Sequence, residues 1–165
     1  MSAQASLDGL LAAAADLRVQ AVTREPDLMA LPLAGIGWAT VELDRAAAEI
    51  AEAFMEAGIA DPAWARAARD PLLGASARVT GGHDGRPAIV LLEPDTEGRL
   101  AATLARFGEG VAAIYLDAAS QGETQPARPT RFSPGPLGPS RLALPGPAWG
   151  PHVIVVERPG PDAAA

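Results

Sequence analysis

The sequence predicts a mixed α+β fold in which one strand pattern is used twice. The first copy runs from Gly35 to Arg45 and the second from Gly108 to Asp117. In both, glycines come first, small and apolar residues follow, and an aspartate lies at or near the end. Segments of helical and of strand periodicity lie around the two copies. Such a repeat predicts two related structural units in one chain.

The composition predicts a compact globular protein and excludes several kinds of function. The 165 residues carry a net charge of −7, which disfavours binding to nucleic acid or to an anionic membrane. Cysteine is absent, so disulfides and thiolate metal sites are excluded, and all 13 basic residues are arginine. No apolar run is long enough to cross a bilayer. Asp8 stands where a signal peptide would be basic, so we expect a cytoplasmic location.

The first part of the chain is predicted to be helical. Residues 6–22 place leucine and alanine at helical spacing, with Ser6 and Asp8 as candidate N-terminal caps. Prolines 26 and 32 indicate an irregular connector at 23–32. Residues 1–32 are therefore treated as an N-terminal helix and connector that precede the main domain.

The main domain is predicted to span residues 33–158. The prediction is a strand at 33–43, a helix at 44–58 capped by Asp44 and ended by Gly58, a short helix from Asp61, a hairpin of 74–80 with 86–93, a short helix ending at Gly108, a strand at 111–117, and two strands at 141–144 and 152–158. Residues 118–140 are rich in proline and glycine and form a loop. Residues 159–165 are expected to be a flexible tail.

One stretch supports a family resemblance. Leu91-Leu92-Glu93-Pro94 is followed by a short helical segment, by the turn Gly108-Glu109-Gly110 and by a strand. This order is similar to the middle of methylmalonyl-CoA epimerases, and the chain resembles the vicinal oxygen chelate superfamily, which includes glyoxalase I. The resemblance implies paired βαβββ modules that form a partly open barrel. The second module is degenerate, because 118–140 lacks a helical pattern. Family members commonly pair modules across a dimer, so a homodimer is expected.

The resemblance also implies a metal site, which this sequence does not provide. Family sites use one histidine, glutamine or glutamate from each of four strands. The matching positions are Gly35, Val90, Ala113 and either Ile154 or Val155. None of these side chains can donate an electron pair to a metal. We therefore expect no metal and no other cofactor.

Strand alternation predicts which residues line the barrel. The candidate ligand-binding residues are Gly35, Gly37, Ala39, Val90, Ala113, Tyr115 and His152. Glycine within a strand indicates close approach of a ligand or of another part of the chain. Two alternatives stay open: a functional pocket, or a closed cavity whose volume Tyr115 or an arginine fills. His152 likewise either faces the mouth of the cavity or lies at a strand edge.

Two functions are compatible with these residues. The first is a metal-independent protein of the bleomycin-resistance kind that binds a small apolar or amphipathic molecule in the barrel. The second is a lyase or isomerase of the glyoxalase or epimerase type that uses glutamate, histidine or tyrosine for proton transfer. The missing metal ligands favour the first, and neither catalytic residues nor the identity of the ligand follows from the sequence.

Overall fold

The protein folds around a single seven-stranded sheet flanked by three α-helices. A computed structural model describes residues 6–60, 62–81, 85–118, 132–144 and 146–157. The elements are α1 (Leu7–Arg24), a 3₁₀ helix (Pro26–Ala30), β1 (Leu33–Ala39), α2 (Leu43–Glu56), β2 (Trp64–Arg66), β3 (Ala75–Thr80), β4 (Ala88–Pro94), α3 (Arg99–Phe107), β5 (Gly110–Asp117), β6 (Ser140–Leu142) and β7 (His152–Val156). None of the described helices is long and apolar enough to span a membrane.

The two halves of the sheet follow the same plan. The strand order is β2-β3-β4-β1-β5-β7-β6. Strands β1 and β5 are antiparallel neighbours at the centre, with Ile36 opposite Ile114. Each has a parallel neighbour, β4 beside β1 and β7 beside β5. A pseudo-twofold axis between Ile36 and Ile114 therefore relates a first module (33–94) to a second module (110–157). The predicted α+β fold with paired modules is confirmed.

The outer face of the sheet is covered by α1 and α2. This face carries Ile36 and Trp38 from β1 and their counterparts on the neighbouring strands, which pack with Leu10 and Ala14 of α1 and Ile50 of α2. Helix α1 begins where predicted, because Ser6 Oγ accepts the Gly9 N–H at 3.1 Å. It packs mainly on β5, whereas α2 packs on β4. The outer face is thus a helix-covered core.

The inner face of the sheet is also packed. Its side chains come from alternate positions of the central strands, including Val90, Leu92, Tyr115 and Ile154. Leu73 and Leu100 from outside the sheet complete this second apolar cluster. Both faces of β4 are buried from Ala88 to Leu92, which matches the continuous apolar run in the sequence there.

Several predicted elements differ from the structure. The short helix predicted from Asp61 is wrong: residues 64–66 form strand β2, because Trp64 pairs with Thr80 and packs into the outer core. The connector at 23–32 contains a 3₁₀ helix, since Pro26 is favourable in the first turn of a helix. Strand β1 ends at Ala39, and Glu42, not Asp44, occupies the N-cap position of α2.

The second module is shorter than the first. After β5 it contains β6 and β7, and an isolated bridge between Ser133 and Ser140 lies beyond β6. The predicted strands at 141–144 and 152–158 are confirmed in position, with bounds of Ser140–Leu142 and His152–Val156. Part of the predicted loop, residues 119–131, and the predicted tail lie outside the described residues.

Candidate functional site

The predicted ligand-binding residues lie together on the inner face. Gly35 and Gly37 stand opposite Tyr115 and Ala113 on β5. Gly37 also pairs with Val90 on β4, and Ala113 pairs with His152 on β7. Ala39 lies on the same face of β1. The alternation predicted from the sequence therefore places all seven residues on one surface.

That surface has no open space beside the two glycines. A Cβ atom at Gly35 would lie 2.6 Å from Leu137 Cδ1, and one at Gly37 would lie 2.9 Å from Ala113 Cβ. The ring of Tyr115 also lies over both glycines, 3.6 Å and 3.3 Å from these Cβ positions. Of the two alternatives left open by the sequence, the structure has the filled cavity. A ligand-binding role for these residues stays a prediction.

The filled inner face contains a buried carboxyl group that hydrogen bonds to tyrosine. The Tyr115 hydroxyl donates to Asp70 Oδ2 at 3.0 Å, and the N–H groups of Leu72 and Leu73 donate to Asp70 Oδ1. Burial raises the pKa of Asp70 in spite of these three donors. Burial, followed by the Asp70 charge, raises the pKa of Tyr115 well above its usual value. The pair is internally satisfied and fully enclosed.

His152 is buried at the edge of the same surface. Its Nε2 lies 3.1 Å from Thr103 Oγ1, and the Thr103 hydroxyl donates to the Arg99 carbonyl. Because that hydroxyl has one proton, it accepts from Nε2–H, and this assigns the tautomer of a neutral ring. Burial, aided by the nearby Arg99 charge, lowers the pKa of His152 to about 4. The sequence left open whether His152 faces the mouth of a cavity or lies at a strand edge. The structure buries the side chain, so it does not face an open cavity mouth.

The positions that hold a metal in related folds do not fit one here. The strand register makes Gly35 equivalent to Ala113 and Val90 equivalent to Ile154, which resolves the choice between Ile154 and Val155. All four side chains lack a donor atom. Within the described ranges, no group of three His, Cys, Asp or Glu side chains is arranged to hold a metal ion. We derive no metal chemistry from this surface.

The turn that carries the family resemblance has a structural contact of its own. Glu109, between two glycines, accepts hydrogen bonds from the Thr40 hydroxyl at 2.7 Å, from Val41 N–H at 2.8 Å and from the Arg45 guanidinium. Burial raises the pKa of Glu109, but the Arg45, Val41 and Thr40 hydrogen bonds outweigh it and the net pKa is lowered. Through these hydrogen bonds Glu109 connects the start of the second module to the start of α2.

An open pocket lies on the opposite side of the sheet. This outer pocket has a volume of about 570 Å³ and lies between the N-terminal end of α1, the C-terminal end of α2 and the ends of β3 and β4. Its apolar walls come from Leu7, Leu11, Phe54, Ile59, Pro62, Pro87 and Ile89. Among the described residues that line it, Thr80 and Arg86 are those with polar side chains. Mostly apolar walls with few polar groups are typical of small-molecule sites.

Sequence analysis missed both Asp70 and the outer pocket. A signal for Asp70 was present in Asp70-Pro71-Leu72-Leu73-Gly74, since aspartate before proline favours a turn in which its carboxylate accepts backbone N–H groups. The pocket had no such signal, because its walls come from four separate elements. Their proximity depends on how α1 packs.

Solved structures with the same fold are found at low sequence identity. Methylmalonyl-CoA epimerase from Mycobacterium tuberculosis is 20% identical, with a TM-score of 0.56 over 81% of this chain and 91% of that one. A hypothetical protein from Bacillus halodurans C-125 is 17% identical, with a TM-score of 0.56 over 79% and 96% of the two chains. A variant of Streptomyces coelicolor methylmalonyl-CoA epimerase in complex with 2-nitronate-propionyl-CoA is 19% identical, with a TM-score of 0.53 over 77% and 96%.

These likenesses confirm the fold that the sequence resemblance implied. The neighbours are members of the vicinal oxygen chelate superfamily. Neither a protein-family model nor a curated protein sequence matches this chain at a significant level.

Proposed function

We propose that this protein, which has the fold of methylmalonyl-CoA epimerases, is a metal-independent binding protein for a small amphipathic molecule. The observation that carries the proposal is the outer pocket, whose volume of about 570 Å³ lies within the range of roughly 300–1,000 Å³ that is usual for ligand sites. The pocket places Thr80 and Arg86 at otherwise apolar walls. An amphipathic molecule matches both kinds of surface.

The inner face is a weaker candidate for the same function. Entry of a ligand beside Gly35 requires Leu137 to leave its present position, and entry beside Gly37 requires the buried ring of Tyr115 to move. Interiors packed in this way resist such rearrangement. The proposal therefore moves the binding site from the barrel, where sequence analysis placed it, to the outer side of the sheet. A homodimer remains part of the proposal only as an expectation from the family resemblance.

The choice between the two surfaces can be tested with filled variants. Isothermal titration with decanol, a neutral amphipathic probe, measures binding to the unmodified protein. Ala63→Trp places a large side chain at the outer pocket, while Gly37→Ala adds a methyl group to the inner face. We expect Ala63→Trp to abolish binding and Gly37→Ala to retain it. Ala65→Trp is the matched control, because Ala65 is an exposed position two residues further along the chain, on β2, and does not line the pocket.

The reverse pattern would place the site in the barrel. Loss of decanol binding in Gly37→Ala, with normal binding in Ala63→Trp, contradicts the outer pocket and supports the earlier placement. Absence of binding by the unmodified protein contradicts the proposed function.

A metal-free lyase or isomerase is the second candidate, and one observation favours it. Asp70 and Tyr115 form a hydrogen-bonded carboxyl–phenol pair beside the positions that match the metal ligands, and burial raises the pKa of Asp70. Such a carboxyl group is suited to proton transfer once it is exposed to a substrate. Incubation with methylmalonyl-CoA in D₂O tests this candidate. Deuterium exchange that Asp70→Asn abolishes would support the enzyme, whereas our proposal expects no exchange above background.

A further inference from the structure

We infer that the outer pocket is selective for a carboxylic acid with an apolar tail, the carboxylate binding at Arg86. This inference rests on the proposed function and names the class of its ligand. Arg86 lines the pocket two residues before β4 begins, and no acidic side chain is among the described residues of the pocket wall. In a chain of net charge −7, an apolar pocket whose charged group is an arginine favours an anionic ligand over a cationic one.

Arg86 is available for such a contact. The ion pairs in the part of the chain that the structure describes join other arginines, among them Arg45 and Arg78, to carboxylates, and none includes Arg86. A guanidinium group has donors spaced to bind both oxygens of a carboxylate. A ligand carboxylate would thus supply a partner that Arg86 lacks among the described residues.

Thr80 provides a second polar contact at the pocket wall. Its side chain is buried, and its hydroxyl accepts the Ile89 N–H at 3.1 Å. Within the described ranges, the hydroxyl proton has no acceptor. A hydroxyl of this kind has a donor available for an oxygen of the ligand, and a buried donor gains from being paired. Arg86 and Thr80 both have donors available for a ligand, whose oxygens must therefore accept hydrogen bonds, and a carboxylate can accept them at every lone pair.

The end of helix α2 has an opposing effect, which is small. Gly58 and Ile59 bring the C-terminal end of the helix to the pocket, and the helix dipole disfavours an anion there. Two carbonyl groups of the last turn are already paired, since Ile59 N–H donates to the Phe54 carbonyl and Gly58 N–H to the Met55 carbonyl. Because the dipole acts only within the last turn, an anion held by Arg86 on the β4 side is affected less than one at the helix end.

One arginine and one hydroxyl favour a carboxylate over a phosphate monoester. A phosphate monoester carries about two negative charges near neutral pH. The described wall supplies one positive charge, so a dianion would remain partly unneutralised inside an acidic protein. A carboxylate matches the charge of the wall.

The test uses four probes with the same tail: decanoate, decanol, decyl phosphate and decylamine. Isothermal titration measures each with the unmodified protein, with Arg86→Gln, and with Arg24→Gln, a charge-matched control at the end of α1. We expect the unmodified protein and the control to bind decanoate roughly 10- to 100-fold more tightly than decanol, as charge-assisted hydrogen bonds predict. Arg86→Gln should remove that preference, because it weakens the binding of decanoate much more than the binding of decanol. Thr80→Val should weaken decanoate binding to a smaller extent.

Each other outcome overturns the inference in a different way. Equal binding of decanoate and decanol refutes the carboxylate class and leaves the proposed function standing. Tighter binding of decyl phosphate or decylamine than of decanoate assigns the pocket to another ligand class. A preference for decanoate that persists in Arg86→Gln would show that Arg86 does not bind the carboxylate. Failure of all four probes to bind refutes the proposed function itself.

Discussion

The two modules share a strand plan but obtain their covering helices differently. In the first module, α2 lies between β1 and β2 in sequence and packs on β4. In the second module the corresponding connection follows β5, and the helix that covers the outer face of β5 is α1, which precedes β1 in sequence. In both modules a helix covers the outer face of the sheet, but the two helices come from different places in the chain.

The inner faces of the modules differ in the size of their side chains. The register makes Gly37 equivalent to Tyr115, and Ala88 equivalent to His152. In each pair the first module has the small residue and the second the large one. The glycines of β1 leave room for the tyrosine of β5, so asymmetry between the modules fills the space that a symmetric pair would leave open.

The largest expected effect tests whether α1 and α2 are equivalent. Leu10→Ala in α1 and Ile50→Ala in α2 each remove a buried side chain from the outer core. We expect each to lower the free energy of unfolding by about 2–5 kcal/mol, as measured by urea denaturation. Val19→Ala, on the exposed side of α1, is the control and should change stability by less than about 0.5 kcal/mol. If Leu10→Ala has a small effect and Ile50→Ala the full effect, α1 contributes little to the stability of the core and the two helices are not equivalent.

The pH dependence of stability tests the difference between His152 and Ala88. The pKa of His152 is lowered to about 4 in the folded protein, so the unfolded chain binds more protons between that value and 6.5. Stability is therefore lost as the pH falls through this window, by up to about 3 kcal/mol at its lower end. In His152→Asn this part of the loss should be absent. If the free energy of unfolding falls equally in both proteins as the pH is lowered, His152 does not titrate as described.

The size difference between Gly37 and Tyr115 is tested by a double-mutant cycle. Gly37→Ala should destabilise the protein by about 1–3 kcal/mol, because the added methyl group overlaps Ala113 and Leu92 and comes within 3.3 Å of the Tyr115 ring. Tyr115→Leu removes the ring that lies over the glycine, so the double variant should be more stable than the sum of the single effects predicts. Thermal and urea denaturation of the four proteins measure the coupling. Simple additivity would show that the glycine and the ring do not compete for the same space.

The smallest expected effect concerns the contact between the modules. Glu109→Gln removes the charge that Arg45 and Val41 N–H recognise, and we expect a loss of about 1 kcal/mol near neutral pH because the pair is partly exposed. The pKa of Glu109 is lowered on folding, so its contribution is present above the unfolded value and is lost as the pH falls. The difference between the two proteins should vanish in acid. A difference that persists there would indicate a packing effect instead of a charge effect.

The fold was predictable from the sequence where local patterns determine it. The alternation in β1 and β5 predicted which residues share a face, and Gly58, with a φ of +72°, ends α2 as expected. Strand β2 was missed because three residues paired at an edge have almost no periodic signal. The sequence could not show whether the inner face holds a cavity. That depends on Leu137 and Tyr115, which contact β1 glycines that are far away in the chain.

The packing of α1 on β5 has a consequence for how the protein is made. Helix α1 leaves the ribosome well before β5, which begins at Gly110, so its main partner in the sheet is synthesised much later than the helix itself. Until then the apolar side of α1, including Leu10 and Ala14, lacks the strand that it contacts most in the sheet. Contacts so distant in sequence form slowly and leave apolar surface exposed in partly made chains. We therefore expect α1 to dock on the sheet only after β5 has been made.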